Sequence, residues 1–183
     1  MTCIVGIEIP GVGVLMGADS CASDGYKSYK ITDSKLFIKN GVSFGYTTSF
    51  RFADILKHHV VIPDNTTGLS DSEFLIKEVV FEIREKLKEH GYSKIANNNE
   101  IGGEALIGYR GKLYELQSDY SLMGYTHGYG SCGSGMYYAL GSLYTTKNSK
   151  ISDKDRLTWA LMAAAEYSPG VSPPFTFLMN EST

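Results

Sequence analysis

What this 183-residue chain lacks narrows its function first. No apolar run approaches the roughly 20 residues that a membrane-spanning helix needs. Lys and Arg number 17 against 20 Asp and Glu, a formal net charge of −3. No basic stripe gathers those cations, so nothing supports electrostatic binding to nucleic acid. The first residues carry no basic segment ahead of an apolar one. No signal peptide is read, and a cytoplasmic address is expected by default. Cysteine is scarce, with only Cys3, Cys21 and Cys132. An odd count without a secretion signal argues against a disulfide framework, and no CxxC spacing suggests a zinc site. His58, His59, His90 and His127 show no HExxH pattern. No metal or other cofactor is expected. Internal repeats and low-complexity segments are absent too.

What remains is an ordinary globular composition, 43% hydrophobic and 20% charged. A chain of this length can bury a sizeable core, and one domain over residues 1–183 is the natural expectation. Residues 2–9 (TCIVGIEI) read as a strand, PGVG as a turn, and VLMG up to Ala18 as the return strand. The stretch DSCASDGYKSYKITD reads as a polar loop. SKLFIKNGVSFGYT gives another hairpin, because Asn-Gly at 40–41 suits its tight turn. The period then changes. Residues 49–60 suit a helix and 61–70 a loop. Ser70 and Glu73 form a capping box for a helix over 71–90, whose Ile76, Val79, Val80, Ile83 and Leu87 mark a buried face. Gly91 is a plausible stop. Residues 104–117 read as a hairpin turning at Arg110-Gly111, and SLMGY as a short strand. MYYALGSLYTT and residues 153–167 read as helices, and FTFLM as a last strand. Runs of strands alternating with pairs of helices suggest two antiparallel sheets packed between helix layers.

The opening, MTCIVGI, carries the first chemical hint. A threonine hydroxyl is a poor nucleophile and needs a base. At a chain's start the free α-amine can supply one, its reference pKa being about 7.7–8.0. Thr2 is small enough to permit removal of Met1, which would put Thr2 in that position. It reads equally well as the first residue of a strand. Cys3 gains no free amine and is read as an ordinary strand residue. Asp19 ends a strand in GADSCASDG, and Lys35 follows sixteen residues on. A buried Lys beside the hydroxyl would lower its pKa, and an Asp beside that Lys would orient it; the two also read as a common ion pair. Ser134, in the GSG ahead of a helix, is either a site residue or a cap.

The segments MTCIVGI, GADSCASDG, SKLFIKNG, GYTTSFRFADIL and YGSCGSGMYYALG, in this order, resemble the proteasome β-subunit and HslV peptidase family. These are N-terminal-nucleophile (Ntn) hydrolases. The resemblance covers nearly the whole chain, and the GADSCAS and GSGMYYALG boxes are its most specific parts. It implies an α+β fold, a four-layer αββα sandwich of two antiparallel sheets, and threonine endopeptidase activity without a cofactor. Thr2 matches the nucleophile, exposed as in the HslV branch by trimming of Met1. Asp19 and Lys35 match the pair that activates it. Ser134 matches the serine near the N-terminal amine. Ser20, Ala22 and Ser23 fall in the segment that pairs with an extended substrate strand.

Two stretches depart from the family pattern. At the oxyanion position, usually glycine-rich, this chain has GYTTSF. Thr47, Thr48 or Ser49 would take that role, and Thr48 and Ser49 would contact substrate. Near the C-terminus the family has an Asp followed by a Ser-Gly-Gly turn. Here AAAEYSPGVSPP offers Glu166, Ser168 and Gly170, with the spacing off by a residue. The resemblance further implies homo-oligomeric rings, single or double, gated by an ATPase unfoldase or another activator, with polypeptide substrates. Two alternatives stand beside it: an Ntn amidohydrolase acting on small amides, and a catalytically impaired ring subunit.

Overall fold

The computed structural model describes residues 2–23, 26–66 and 68–182. The fate of Met1 lies outside them. The N-terminal hairpin forms as the sequence predicts, from β1 (Ile4–Ile9) and β2 (Gly13–Ala18). It is the centre of a four-stranded antiparallel sheet. β12 (Tyr129–Cys132) flanks β1, and β13 (Thr176–Glu181) flanks β2. The second sheet has five strands in the order β11-β10-β9-β6-β5. These are β5 (Leu36–Lys39), β6 (Val42–Tyr46), β9 (Ala105–Tyr109), β10 (Lys112–Leu116) and β11 (Leu122–Gly124).

Strand alternation explains the layers. From β1, Ile4 points inward and packs with Val14, Met16, Leu36, Leu106 and Leu113 between the two sheets. Val5 and Ile7 point outward against Ala139, Leu143, Leu157 and Leu161. Those belong to α4 (Met136–Thr146) and α5 (Asp153–Tyr167), the first helical layer. Across the sandwich, Val42, Phe44 and Ile107 pack on Phe52, Leu56, Val79, Ile83 and Leu87. That second helical layer comprises α1 (Phe50–His58), α2 (Asp71–Phe74) and α3 (Phe81–Glu89), with Val79 from the helical segment joining α2 to α3. The order is therefore helix, sheet, sheet, helix, the αββα sandwich expected. Strands covered on both faces read as nearly continuous apolar runs, as TCIVGIEI does.

Ser70 caps its helix as read, and both capping-box hydrogen bonds form. The helix over 71–90 is not uniform, however. Leu75–Val80 form a π-helical segment between α2 and α3. The polar stretch after Asp19 also differs from a plain loop, since β3 (Cys21–Ser23) pairs with β4 (Ser28–Lys30). A further small hairpin joins β7 (Lys94–Ala96) to β8 (Asn99–Ile101). Its turn uses Asn97 and Asn98 at φ 51° and 64°, a conformation asparagine tolerates. Among the described residues, no helix is long and apolar enough to cross a membrane.

Candidate active site

The register of the N-terminal hairpin builds the site. Ile4 pairs with Ala18, so the residues just beyond, Thr2–Cys3 and Asp19–Ser20, are brought side by side. Asp19 N–H donates to the Cys3 carbonyl at 3.3 Å. In return, the Asp19 carboxylate accepts Cys3 N–H at 2.9 Å on Oδ1 and Cys21 N–H at 2.8 Å on Oδ2. Lys35 enters from the other sheet, one residue ahead of β5. Its side chain is only 1% exposed. Nζ donates to Thr2 Oγ1 at 2.9 Å, to Asp19 Oδ1 at 3.0 Å and to the Cys21 carbonyl at 2.7 Å. Three acceptors match the three N–H bonds of an ammonium. The buried charge is thus paired and fully hydrogen-bonded, the condition for burying it at tolerable cost.

The other end of Thr2 meets the turn after β12. Thr2 N donates to Ser134 Oγ at 3.2 Å, and Ser134 Oγ donates to the Thr2 carbonyl at 3.3 Å. Gly135 N–H reaches the same carbonyl at 3.3 Å. Gly133 sits at φ 92°, and a Cβ there would lie 2.3 Å from the Thr2 carbonyl oxygen. Only glycine fits this approach. Ser168, which ends α5, places its hydroxyl 3.4 Å from that of Ser134. Thr2 therefore has its hydroxyl against a lysine and its backbone nitrogen against a serine.

The three oxyanion candidates separate on their hydrogen bonds. Thr47 N–H donates to the Glu104 carbonyl at 3.0 Å, and Ser49 N–H to the Thr47 carbonyl at 2.8 Å. Thr48 N–H has no partner among the described residues. Thr48 holds φ 67°, the left-handed region that disfavours a β-branched residue. Its Oγ1 accepts Glu104 N–H at 3.1 Å, which pins this conformation. A cleft of about 190 Å³ opens beside these groups, with Thr2, Lys35 and Thr48 on its wall. Ala22, Ser23 and Ser49 also line it, joined by Tyr46 and Phe50.

Two of the predicted residues lie elsewhere. Ser20 is buried, and its backbone is already engaged. Its N–H donates to the Ser172 carbonyl at 3.1 Å and its carbonyl accepts Ile31 N–H at 3.0 Å. It is not on the cleft wall. Glu166 points to solvent from α5 and makes no bond to the cluster among the described residues. Helix periodicity carries it away from Ser168, so the misfit in spacing excludes the acid while the serine arrives. Cys3 is no rival nucleophile, because burial pushes its thiol up to about 12. The Cys132 thiol is raised well above its usual range by the same cause.

No family model matches the chain, and no curated protein matches it in sequence. Solved structures do. BPH from Thiobacillus denitrificans matches with a TM-score of 0.83 at 20% identity, over 99% of this chain and 98% of that one. The same protein in complex with epoxomicin gives 0.83 at 19% identity, over 99% of both chains. HslV from Trypanosoma brucei gives 0.69 at 14%, over 98% of this chain and 99% of that one. The chain has the proteasome-type Ntn-hydrolase fold. At these identities the likeness is one of fold, and the chemistry must come from the site itself. Within the Ntn fold, the contributions that sequence reading missed are mostly backbone or aromatic. The Cys21 carbonyl, and Tyr46 and Phe50 on the cleft wall, carry no motif. Only the strand register could have located the first.

Proposed function

We propose that this protein is a threonine-type endopeptidase that uses Thr2 as an N-terminal nucleophile, once Met1 is removed. The observation that carries the reading is the contact of Lys35 Nζ with both Thr2 Oγ1 and Asp19 Oδ1, at 2.9 and 3.0 Å. An ammonium donating to the hydroxyl stabilises the alkoxide as it forms. The Thr2 nitrogen, freed as an amine, takes the hydroxyl proton directly or through a water. The hydroxyl oxygen then attacks a peptide carbonyl in the cleft. Thr48 N–H is the donor available to the resulting oxyanion. The tetrahedral intermediate collapses to a Thr2 ester as the amine hands its proton to the leaving nitrogen. Water, deprotonated by the same amine, hydrolyses the ester. Ala22 and Ser23 on β3 offer a short strand against which an extended peptide aligns.

The decisive experiment is Thr2→Ala tested on a fluorogenic peptide, with intact mass reporting the state of Met1. We expect hydrolysis to vanish and the circular-dichroism spectrum to stay unchanged. Wild-type turnover in the Thr2→Ala protein would sink the mechanism. Epoxomicin, which occupies the Thiobacillus denitrificans protein, is expected to inhibit the wild type. Assembly into single or double rings, and delivery of polypeptides by an ATPase unfoldase or another activator, belong to the same proposal.

A further inference from the structure

On the other side of Thr2 lies a second cleft of about 310 Å³, lined among others by Thr48, Glu104, Gly133, Ser134 and Met136. Glu104 directly precedes β9. By strand alternation it shares a face with Leu106, which is buried between the sheets. Its side chain therefore projects toward the first sheet. Its charge is felt there by the Cys132 thiol, next to Gly133. The Glu104 backbone is committed, its N–H to Thr48 Oγ1 at 3.1 Å and its carbonyl to Thr47 N–H at 3.0 Å. Its carboxylate makes no hydrogen bond or ion pair among the described residues. The nearby cation, Lys35, has spent all three donors on Thr2, Asp19 and Cys21. An uncompensated carboxylate thus borders the nucleophile.

The direction of the substrate follows from proton traffic, and here the inference rests on the peptidase reading above. The leaving nitrogen must receive its proton from the Thr2 amine. Ser134 holds that nitrogen at 3.2 Å and also lines the second cleft. The leaving strand therefore departs through this cleft, and the acyl strand occupies the one lined by Tyr46 and Phe50. We infer that Glu104 is a specificity-determining residue that selects a Lys or Arg side chain immediately after the scissile bond. A cationic side chain there meets a carboxylate with no other partner, whereas an acidic one meets a like charge.

Two internally quenched peptides, identical except for Arg or Glu after the cleaved bond, test this. Mass spectrometry of the products fixes the cleavage position. The wild type is expected to favour Arg by about fivefold in kcat/KM, the scale of a partly exposed ion pair. The ratio should fall toward one as salt rises from about 0.05 M to about 0.5 M. Glu104→Gln should bring it near one, and Glu104→Lys should reverse it. Because the readout is a ratio within one protein, a general loss of activity does not disturb it. A wild-type ratio of one, a ratio insensitive to salt, or a ratio unchanged in Glu104→Gln overturns the inference and leaves the peptidase reading intact. If no peptide is cleaved, that reading has failed on its own. Fluorescein-labelled versions of the two peptides are then ranked by anisotropy. Tighter binding of the Arg peptide, lost in Glu104→Gln, supports the selection, and equal binding overturns it.

Discussion

Asp19 receives three donors on its two oxygens, the N–H groups of Cys3 and Cys21 and the Lys35 ammonium. That count decides what an isosteric change would do. Asparagine accepts on one oxygen only, so Asp19→Asn turns an NH₂ toward a backbone N–H and strips Lys35 of its counter-charge. Breaking a buried pair in this way costs about 3–5 kcal/mol. We expect a clear drop in thermal midpoint together with loss of peptide hydrolysis. An Asp19→Asn protein with wild-type stability would refute the hydrogen-bond account. Thr48 poses the opposite case. Its φ of 67° is strained for threonine, and glycine adopts it freely. Thr48→Gly relieves the strain but forfeits the bond from Glu104 N–H. The net change in stability should stay within about 1 kcal/mol. Since only the Thr48 N–H is assigned a role, kcat should survive within about threefold, a loss well below the hundredfold expected from removing an oxyanion donor. A far larger fall would shift the role to the side chain. The sequence made Thr2, Asp19, Lys35 and Ser134 legible because each lies in a recognisable segment. It left Thr48 one of three candidates, since a free N–H has no letter of its own.

Among the elements, those with local signals were legible. The Asn-Gly turn at 40–41, the capping box at Ser70 and the hairpin at Arg110-Gly111 all form, because turn and cap chemistry acts within a few residues. β12 was not legible. Its four residues, Tyr129–Cys132, look like a glycine-rich lead-in to α4, and only pairing with β1 makes them a strand. The π-helical segment escaped for a similar reason: at α-helical spacing Ile76 falls on the buried face, whereas in the structure Leu75 is buried and Ile76 is exposed. Beside β12, the ends of β10 and β11 carry a partly buried polar contact that sequence periodicity also hides. Glu115 accepts a hydrogen bond from the Tyr125 hydroxyl. Burial raises the Glu115 carboxyl, as does the charge of Glu104, against the opposing hydrogen bond from Tyr125. A raised carboxyl favours the folded state below its unfolded pKa, and that benefit is lost as pH climbs through the folded value. At neutral pH the charged form is therefore a liability. Glu115→Gln keeps an acceptor for Tyr125 and removes the charge. Its thermal midpoint at pH 7.5 should exceed that of the wild type by roughly 1–3 °C, a small gain because partial exposure screens the charge. The gap should close as pH falls through the raised carboxyl's range, where the wild-type side chain takes up its proton. A gap that widens in acid would reverse the assignment.

At the scale of the whole molecule, the two helical layers have different exteriors. On the layer of α1, α2 and α3, the exposed face carries ion pairs such as Lys86–Glu89 and Lys88–Glu85 around a few exposed apolar side chains, Phe50, Ile76 and Phe81. On the layer of α4 and α5, exposed aromatics accumulate. Tyr137 is 74% exposed, Tyr144 60%, Tyr167 67% and Trp159 50%, with Met162 among them at 56%. Tyr138 and Tyr167 pack ring to ring across the two helices, 5.5 Å between centroids. A folded monomer rarely leaves so much apolar surface on one layer, and aromatics are enriched where proteins associate. The proposed ring gives this face a partner. Native mass measurement should then find an assembly several times the 20.1 kDa of one chain. Replacing Tyr138 and Trp159 together with glutamate puts two charges into that contact, where desolvation without a partner is costly. The double variant should run as a monomer while its far-ultraviolet spectrum stays wild type, because neither side chain supports the core. The Thr2–Lys35–Asp19 cluster lies between the sheets and borrows no residue from this face. Residual peptide hydrolysis in the monomeric variant would show that the site is complete within one chain. A wild type that is itself monomeric would remove the ring from the proposal and leave the chemistry at Thr2 to stand alone.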